Sequence, residues 1–175
     1  MNPFTAPLRL WPLLAVAACA APSPPVPAAL APQTSATTAL VTGARGVQIY
    51  ECRAKADGFE WAFVAPRADL LDPAGRVVGS HGAGPYWQAT DGSRIVGRVT
   101  ARADAPHAGA IPWLLLDARS EGAAGVLARV TQVQRLNTEG GLAPAAGCNP
   151  ERLGQRINVP YRADYRFFAT PSSSL

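Results

Sequence analysis

Glycine and proline punctuate this chain so densely that long helices have little room: 16 glycines and 17 prolines are spread over its 175 residues. Inside a helix each costs roughly 1 kcal/mol (Gly) or 3 kcal/mol (Pro) against alanine, which argues against a helical bundle. From residue 45 onward the runs between them are short and alternate apolar with polar, the period of a half-buried strand. Gly46 to Cys52 alternates in this way. A turn at Lys55-Ala56-Asp57-Gly58 leads into Phe59 to Val64, where Phe59, Trp61 and Phe63 take every second place, so the pair predicts a hairpin. Pro66 to Asp72 reads as a short helical turn or loop, and Gly75 to Gly79 as a third strand.

Tyr86 to Thr90, the turn Asp91-Gly92 and Ser93 to Ala101 predict a second hairpin. In its second strand Arg94, Arg98 and Arg102 fall on the face opposite Ile95, Gly97 and Val99, which predicts one wet face. Ile111 to Leu116 is a continuous apolar run, too short for a helix and therefore a strand buried on both sides. Val126 to Leu136 is rich in β-branched residues, and Asn137 to Asn149 reads as a long loop. Tyr161, Ala163, Tyr165 and Phe167 alternate with Arg162, Asp164 and Arg166 in a closing strand. The expected fold is all-β, a single β-sandwich or small barrel of about seven or eight mostly antiparallel strands.

The first 44 residues read differently. Arg9 precedes the apolar run Leu10 to Ala18, which ends at Cys19. The run falls short of the roughly 20 apolar residues a membrane span needs. Its layout is that of a secretory signal over 1–19. Val16-Ala17-Ala18-Cys19 resembles a bacterial lipobox, which makes Cys19 the expected lipidation site. Ala18-Cys19-Ala20 as an ordinary cleavage site is the alternative. Residues 20–44 are rich in Ala, Pro and Thr and read as an extended, disordered tether. This leaves a β-domain at 45–170 and a tail at 171–175. The expected location is periplasmic or outer-membrane-anchored, touching a membrane through a lipid only, with plain secretion as the alternative.

Composition limits the partners. Hydrophobic residues at 48% exclude a disordered polar chain. The net charge of +4 is spread out, with Lys55 the only lysine, and no basic run forms a nucleic-acid footprint. Past the leader two cysteines remain, Cys52 and Cys148. In an exported domain they read as one disulfide, closing a loop of about 95 residues worth about 4 kcal/mol in the chain-entropy model. Free thiols or a metal site are the competing reading, but neither cysteine has a His or Cys neighbour.

The ordered blocks Gly46 to Cys52, Trp61 to Pro66, Gly79 to Trp87, Asp91 to Ser93, Ile111 to Leu115, Gln134 to Gly141, Cys148 and Val159 to Phe167 resemble the family called domain of unknown function 3455. The resemblance covers essentially 45–168. It implies a secreted domain found in bacteria and fungi and carries no established activity. Some members bear a malate dehydrogenase label, which this chain does not support: no G-x-G-x-x-G links a strand to a helix, and no βαβ alternation is present to hold a dinucleotide.

Chemistry concentrates at 79–93. His81 sits in a glycine-rich bend and is the candidate general base of a hydrolase-type enzyme, with Asp91 or Asp117 to orient it. The plainer reading is a ring that hydrogen-bonds the backbone and holds the bend. Tyr86, Trp87 and Arg94 are the candidate ligand-binding residues, aromatic rings on which a sugar or small molecule stacks beside a guanidinium, while Trp61 and Trp113 read as core. No cofactor is expected. A metal is not expected either, because His81 and His107 lie far apart with no H-x-H or H-E-x-x-H spacing. The leading expectation is a module binding a small ligand or glycan. The alternatives are the His81 enzyme and a ligand-free structural envelope protein.

Overall fold

A computed structural model describes residues 24–170. The expected signal and lipidation site at Cys19, the first residues of the tether and the tail from 171 lie outside the described residues. Eight antiparallel strands follow one another around a closed barrel: β1 Thr37–Lys55, β2 Gly58–Leu71, β3 Val77–Gly82, β4 Tyr86–Ala89, β5 Arg94–Ala103, β6 Trp113–Ser120, β7 Val130–Gly140 and β8 Arg156–Ala169. Of the two all-β architectures expected, the barrel is the one formed. β1 pairs with β8 from Thr37↔Ala169 to Glu51↔Arg156, so no sheet edge is left along the seam.

Alternation fills the interior as β8 predicts. Tyr161, Ala163, Tyr165 and Phe167 are buried, while Arg162 and Arg166 are exposed and Asp164 is partly so. With Leu70, Trp87, Ile95, Leu116, Leu127, Val130 and Val133 they form the main core cluster. Cys52 and Cys148 form the expected disulfide, their Cα atoms 5.3 Å apart. It ties β1 to the loop that follows β7.

Several boundaries differ from the sequence reading. Residues 37–44, read as tether, are the first part of β1, because Thr38, Leu40 and Val41 find ladder partners on β8. Leu30, in a 3-10 turn at Ala28–Leu30, is fully buried against Trp113, Leu115 and Leu136 on the outside of the barrel. That cover is why β6 is apolar on both faces, as its continuous run predicts.

Pro66 to Leu71, read as a turn, belongs to β2. Pro66 lies opposite Gln48 beside a bulge, and β3 pairs with β2 only from Ala68 onward, so the missing N–H of Pro66 faces no partner strand. The third strand starts at Val77, after a turn in which the Asp72 carboxylate accepts from the Ala74 and Arg76 amides. Residues 126–129 are a turn rather than strand. Residues 137–140 extend β7 through a bulge, where Asn137 adopts φ 48 and donates to Asp164 at 2.7 Å.

The short hairpin of β3 and β4 positions the site. β4 pairs with β5 only at Tyr86 to Gln88, and β3 with β2 only up to Ala68. Above that level β2 and β5 face each other across a notch in the wall.

Candidate ligand pocket in the barrel mouth

Ile95, Leu127, Val130, Val133 and Phe167 fill the lower end of the barrel, and the upper end is open. A cavity of about 560 Å³ opens at the notch, between Phe63 and Pro66 of β2, the β3–β4 turn Ala83–Pro85 and Val99 of β5. Leu114 and Leu116 line its far side. Phe63, Val99 and Leu142 are large apolar side chains about half exposed, and all three stand on its lining. Leu142 is carried by the loop after β7, which is held down three ways: by the disulfide, by the Tyr50 hydroxyl donating to Gly141 O at 2.6 Å and by Trp61 Nε1 donating to Ala146 O at 3.1 Å.

His81 is buried on this lining. Its Nδ1 lies 2.6 Å from Tyr86 O. A carbonyl only accepts, so Nδ1 carries the proton and Nε2 is a lone-pair acceptor. Burial pulls the imidazole pKa down to about 4. The Tyr86 carbonyl opposes that shift and Arg135 reinforces it. At neutral pH the ring is uncharged.

Trp87, cross-strand from His81, forms part of the floor and is 1% exposed. Its six-membered ring occupies the space that a Cβ on Gly97 would fill. Tyr86 faces the other side of β4, where the Arg94 guanidinium covers its ring at 3.9 Å from the centroid. The structure therefore brings Tyr86 and Arg94 together on the outside and Trp87 with His81 on the inside. Trp61 and Trp113 are buried, as read.

Asp91 is not joined to His81. It sits in the turn beyond β4, at the opposite end of that strand, and accepts from Ser93 N, Ser93 Oγ and Val126 N. Asp117 faces outward, paired with Arg98 at 2.9 Å.

Four polar side chains on the lining were not among the site residues expected from the sequence: Gln48, Tyr165, Arg102 and Arg135. Simple alternation puts Arg102 on the wet face. A bulge between Val99 and Ala101 reverses the parity, so that Ala101 packs outward near Leu30 and Arg102 turns to the cavity. Arg135 did leave a signal. It stands two residues after the buried Val133, on the inward face of a β-branched strand, where a charge is out of place. Burial pushes the Tyr50 and Tyr165 hydroxyls above their ordinary value, so both are neutral donors. Among the described residues no cluster of three or more His, Cys, Asp or Glu is placed to hold a metal ion.

An eight-stranded meander closed on itself, filled at its lower end and open at its upper end, defines the class of small antiparallel barrels whose interior has room for one small molecule. Within that class the chain belongs to the family described as protein of unknown function (DUF3455), whose model matches residues 32–169. The match begins before β1, in agreement with the strand boundaries rather than with a domain starting at 45. No curated protein and no solved structure matches the chain.

Proposed function

We propose that this chain is an exported binding protein that holds one small molecule with an apolar body in the mouth of its barrel. The carrying observation is the cavity of about 560 Å³ with half-exposed Phe63, Val99 and Leu142 at its rim. That volume falls in the range of about 300–1,000 Å³ typical of small-molecule sites. The disulfide and the leader-like residues 1–19 support export, with Cys19 as the lipid anchor. A mature amino terminus mapped by mass spectrometry to a diacylated Cys19 is the expected result.

A glycan has less support than an apolar ligand, because sugar stacking needs exposed rings. Trp61, Trp87 and Trp113 are buried, and Tyr86 is already covered by Arg94. The His81 enzyme also has less support: a ring with a pKa near 4 is a weak general base, and its Nδ1 is held by a carbonyl rather than a carboxylate.

The test is titration with N-phenyl-1-naphthylamine, an uncharged apolar fluorophore. Saturable one-to-one enhancement is expected, lost when Leu114→Trp fills the cavity. If no saturable signal develops, or if Leu114→Trp leaves it intact, the reading fails and a ligand-free structural role takes its place.

A further inference from the structure

The charged groups on the cavity wall are all cationic donors. The lining includes the arginines Arg102 and Arg135 and no aspartate or glutamate. Arg135 makes no ion pair within 4.0 Å among the described residues. Its Nε and Nη2 both donate to one acceptor, Pro112 O, at 3.1 and 2.8 Å. That grip fixes the plane of the guanidinium and leaves its Nη1 edge without a carboxylate among the described residues, beside the Tyr165 hydroxyl. Arg135 is directly cross-strand from Tyr165.

Tyr165 and Gln48 add the second observation. Both side chains are at least 97% buried and both line the cavity, yet neither the Tyr165 hydroxyl nor the Gln48 Nε2 makes a hydrogen bond within 3.5 Å, the hydroxyl lying near only the Tyr161 hydroxyl and Arg135. Buried polar atoms are nearly always paired, so these orphans, with Trp87 Nε1 as a third on the same lining, need an explanation. A guanidinium edge, a phenol and a primary amide share one capacity, which is to donate. The complementary group accepts only, carries a negative charge and offers two oxygens.

We propose that the ligand is an organic acid whose carboxylate is held by Arg135, with Tyr165 and Gln48 as further donors, and whose apolar body lies along Leu114, Leu116 and Val99 toward Phe63. The proposal rests on the pocket reading above and names the chemical class of its occupant. Arg102, exposed at the rim, adds positive potential along the route of entry. One carboxylate suits the site better than a dianion, because a single guanidinium edge faces a lining that is otherwise mostly apolar.

The experiment is competition against N-phenyl-1-naphthylamine on the disulfide-bonded chain, using decanoate and 1-decanol, which share a chain length and differ in the head group. Decanoate is expected to displace the fluorophore roughly tenfold more tightly than the alcohol, since hydrogen bonds to charged groups are the stronger kind. Arg135→Gln is expected to lower decanoate affinity by roughly ten- to a hundredfold, with 1-decanol and the fluorophore changed by less than about twofold. Tyr165→Phe removes a hydroxyl that makes no hydrogen bond within 3.5 Å. It is expected to fold at least as stably and to lose decanoate affinity severalfold, so it serves if Arg135→Gln does not fold. If decanoate and decanol compete equally, or if the variants weaken both alike, the acid proposal is overturned while the pocket stands. If the fluorophore and both competitors fail to bind, the pocket reading falls and takes the proposal with it.

Discussion

The His81 imidazole lies stacked on the Trp87 indole, ring centroids 4.6 Å apart and planes 13° from parallel, with the two residues directly opposite each other on β3 and β4. Tyr165 closes the third side at 5.2 Å. Burial of the His81 ring, 3% exposed, penalises its charged form, and that is the main cause of its pKa near 4.

The stability of the fold follows from this value. In the unfolded chain a histidine takes its proton at about 6.5, and in the barrel His81 takes it only near 4. Between these limits the unfolded state binds the extra proton, so stability falls as the pH drops from about 6.5 to 4, by on the order of 3 kcal/mol in all. Below about 4 both states are protonated and this group contributes no further loss. Hydrogen bonds hold the Glu51, Asp72 and Asp91 carboxyls below their ordinary range, so their contributions disappear at lower pH still. Urea denaturation between pH 4 and 7 is expected to show the slope in the native sequence. In His81→Phe, which keeps a ring against Trp87, the slope is expected to vanish above about pH 5, where these carboxyls stay ionised in both states. A slope that persists in the variant assigns the proton to another group.

Asp91 has a different task. It accepts from Ser93 N and Ser93 Oγ at 2.9 and 2.6 Å and from Val126 N at 2.8 Å, and Ser93 Oγ in turn accepts from Leu127 N at 3.1 Å. The chain of bonds joins the β4–β5 and β6–β7 turns and seats Leu127, fully buried, in the floor of the barrel. Asp91→Ala is expected to lower the melting temperature by several degrees, with Asp91→Asn in between. Both folded variants should bind N-phenyl-1-naphthylamine as the native chain does. Folded Asp91→Ala that has lost fluorophore binding contradicts a purely structural role and links this turn to the mouth.

What the sequence made legible was local. Period-two alternation identified β8 and its inward residues, and the turn dipeptide Asp91-Gly92 marked the β4–β5 hairpin. What it hid was either long-range or a matter of parity. The pairing of β1 with β8 decides barrel against sandwich, yet it joins residues more than 100 positions apart, beyond the reach of any local pattern. The bulge at Thr100 turned Arg102 from solvent to cavity, and one inserted residue leaves no mark in an alternating run. Tyr86 and Trp87 illustrate the same parity from the other side: neighbours in sequence, they necessarily face opposite sides of β4 and cannot form one stacking platform.

The disulfide carries a prediction about both stability and the rim. It closes a separation of 96 residues, for which the chain-entropy model gives about 4 kcal/mol. A Cys52→Ala/Cys148→Ala double variant is expected to lose that amount in urea denaturation, and a reductant should do the same to the native chain while leaving the variant unchanged. Because the bridge anchors the loop bearing Leu142, amide exchange over residues 141–149 is expected to quicken in the variant even where the barrel strands stay protected. Unchanged exchange in that loop means that the Tyr50 and Trp61 hydrogen bonds suffice to hold it.

Leu30 offers the sharpest test of where the fold begins. If the residues before β1 were only a spacer, changing one of them would leave stability within about 0.5 kcal/mol of the native value, as at most surface sites. Leu30 is instead 0% exposed and packs on Trp113, Leu115 and Leu136, while Gln134 Nε2 donates to its carbonyl and Gln33 N donates to Gln132. Leu30→Ala is therefore expected to cost about 2–5 kcal/mol, the range for truncating a buried leucine. Deleting the residues up to 36 goes further. It uncovers the outer apolar face of β6 and β7, and an exposed patch of that kind drives association. The truncated chain is expected to elute earlier than the native chain in size-exclusion chromatography, whereas Leu30→Ala elutes with the native chain but unfolds at lower urea. A truncated chain that shows no association beyond the native chain's and is as stable as the full one shows the segment to be a spacer after all.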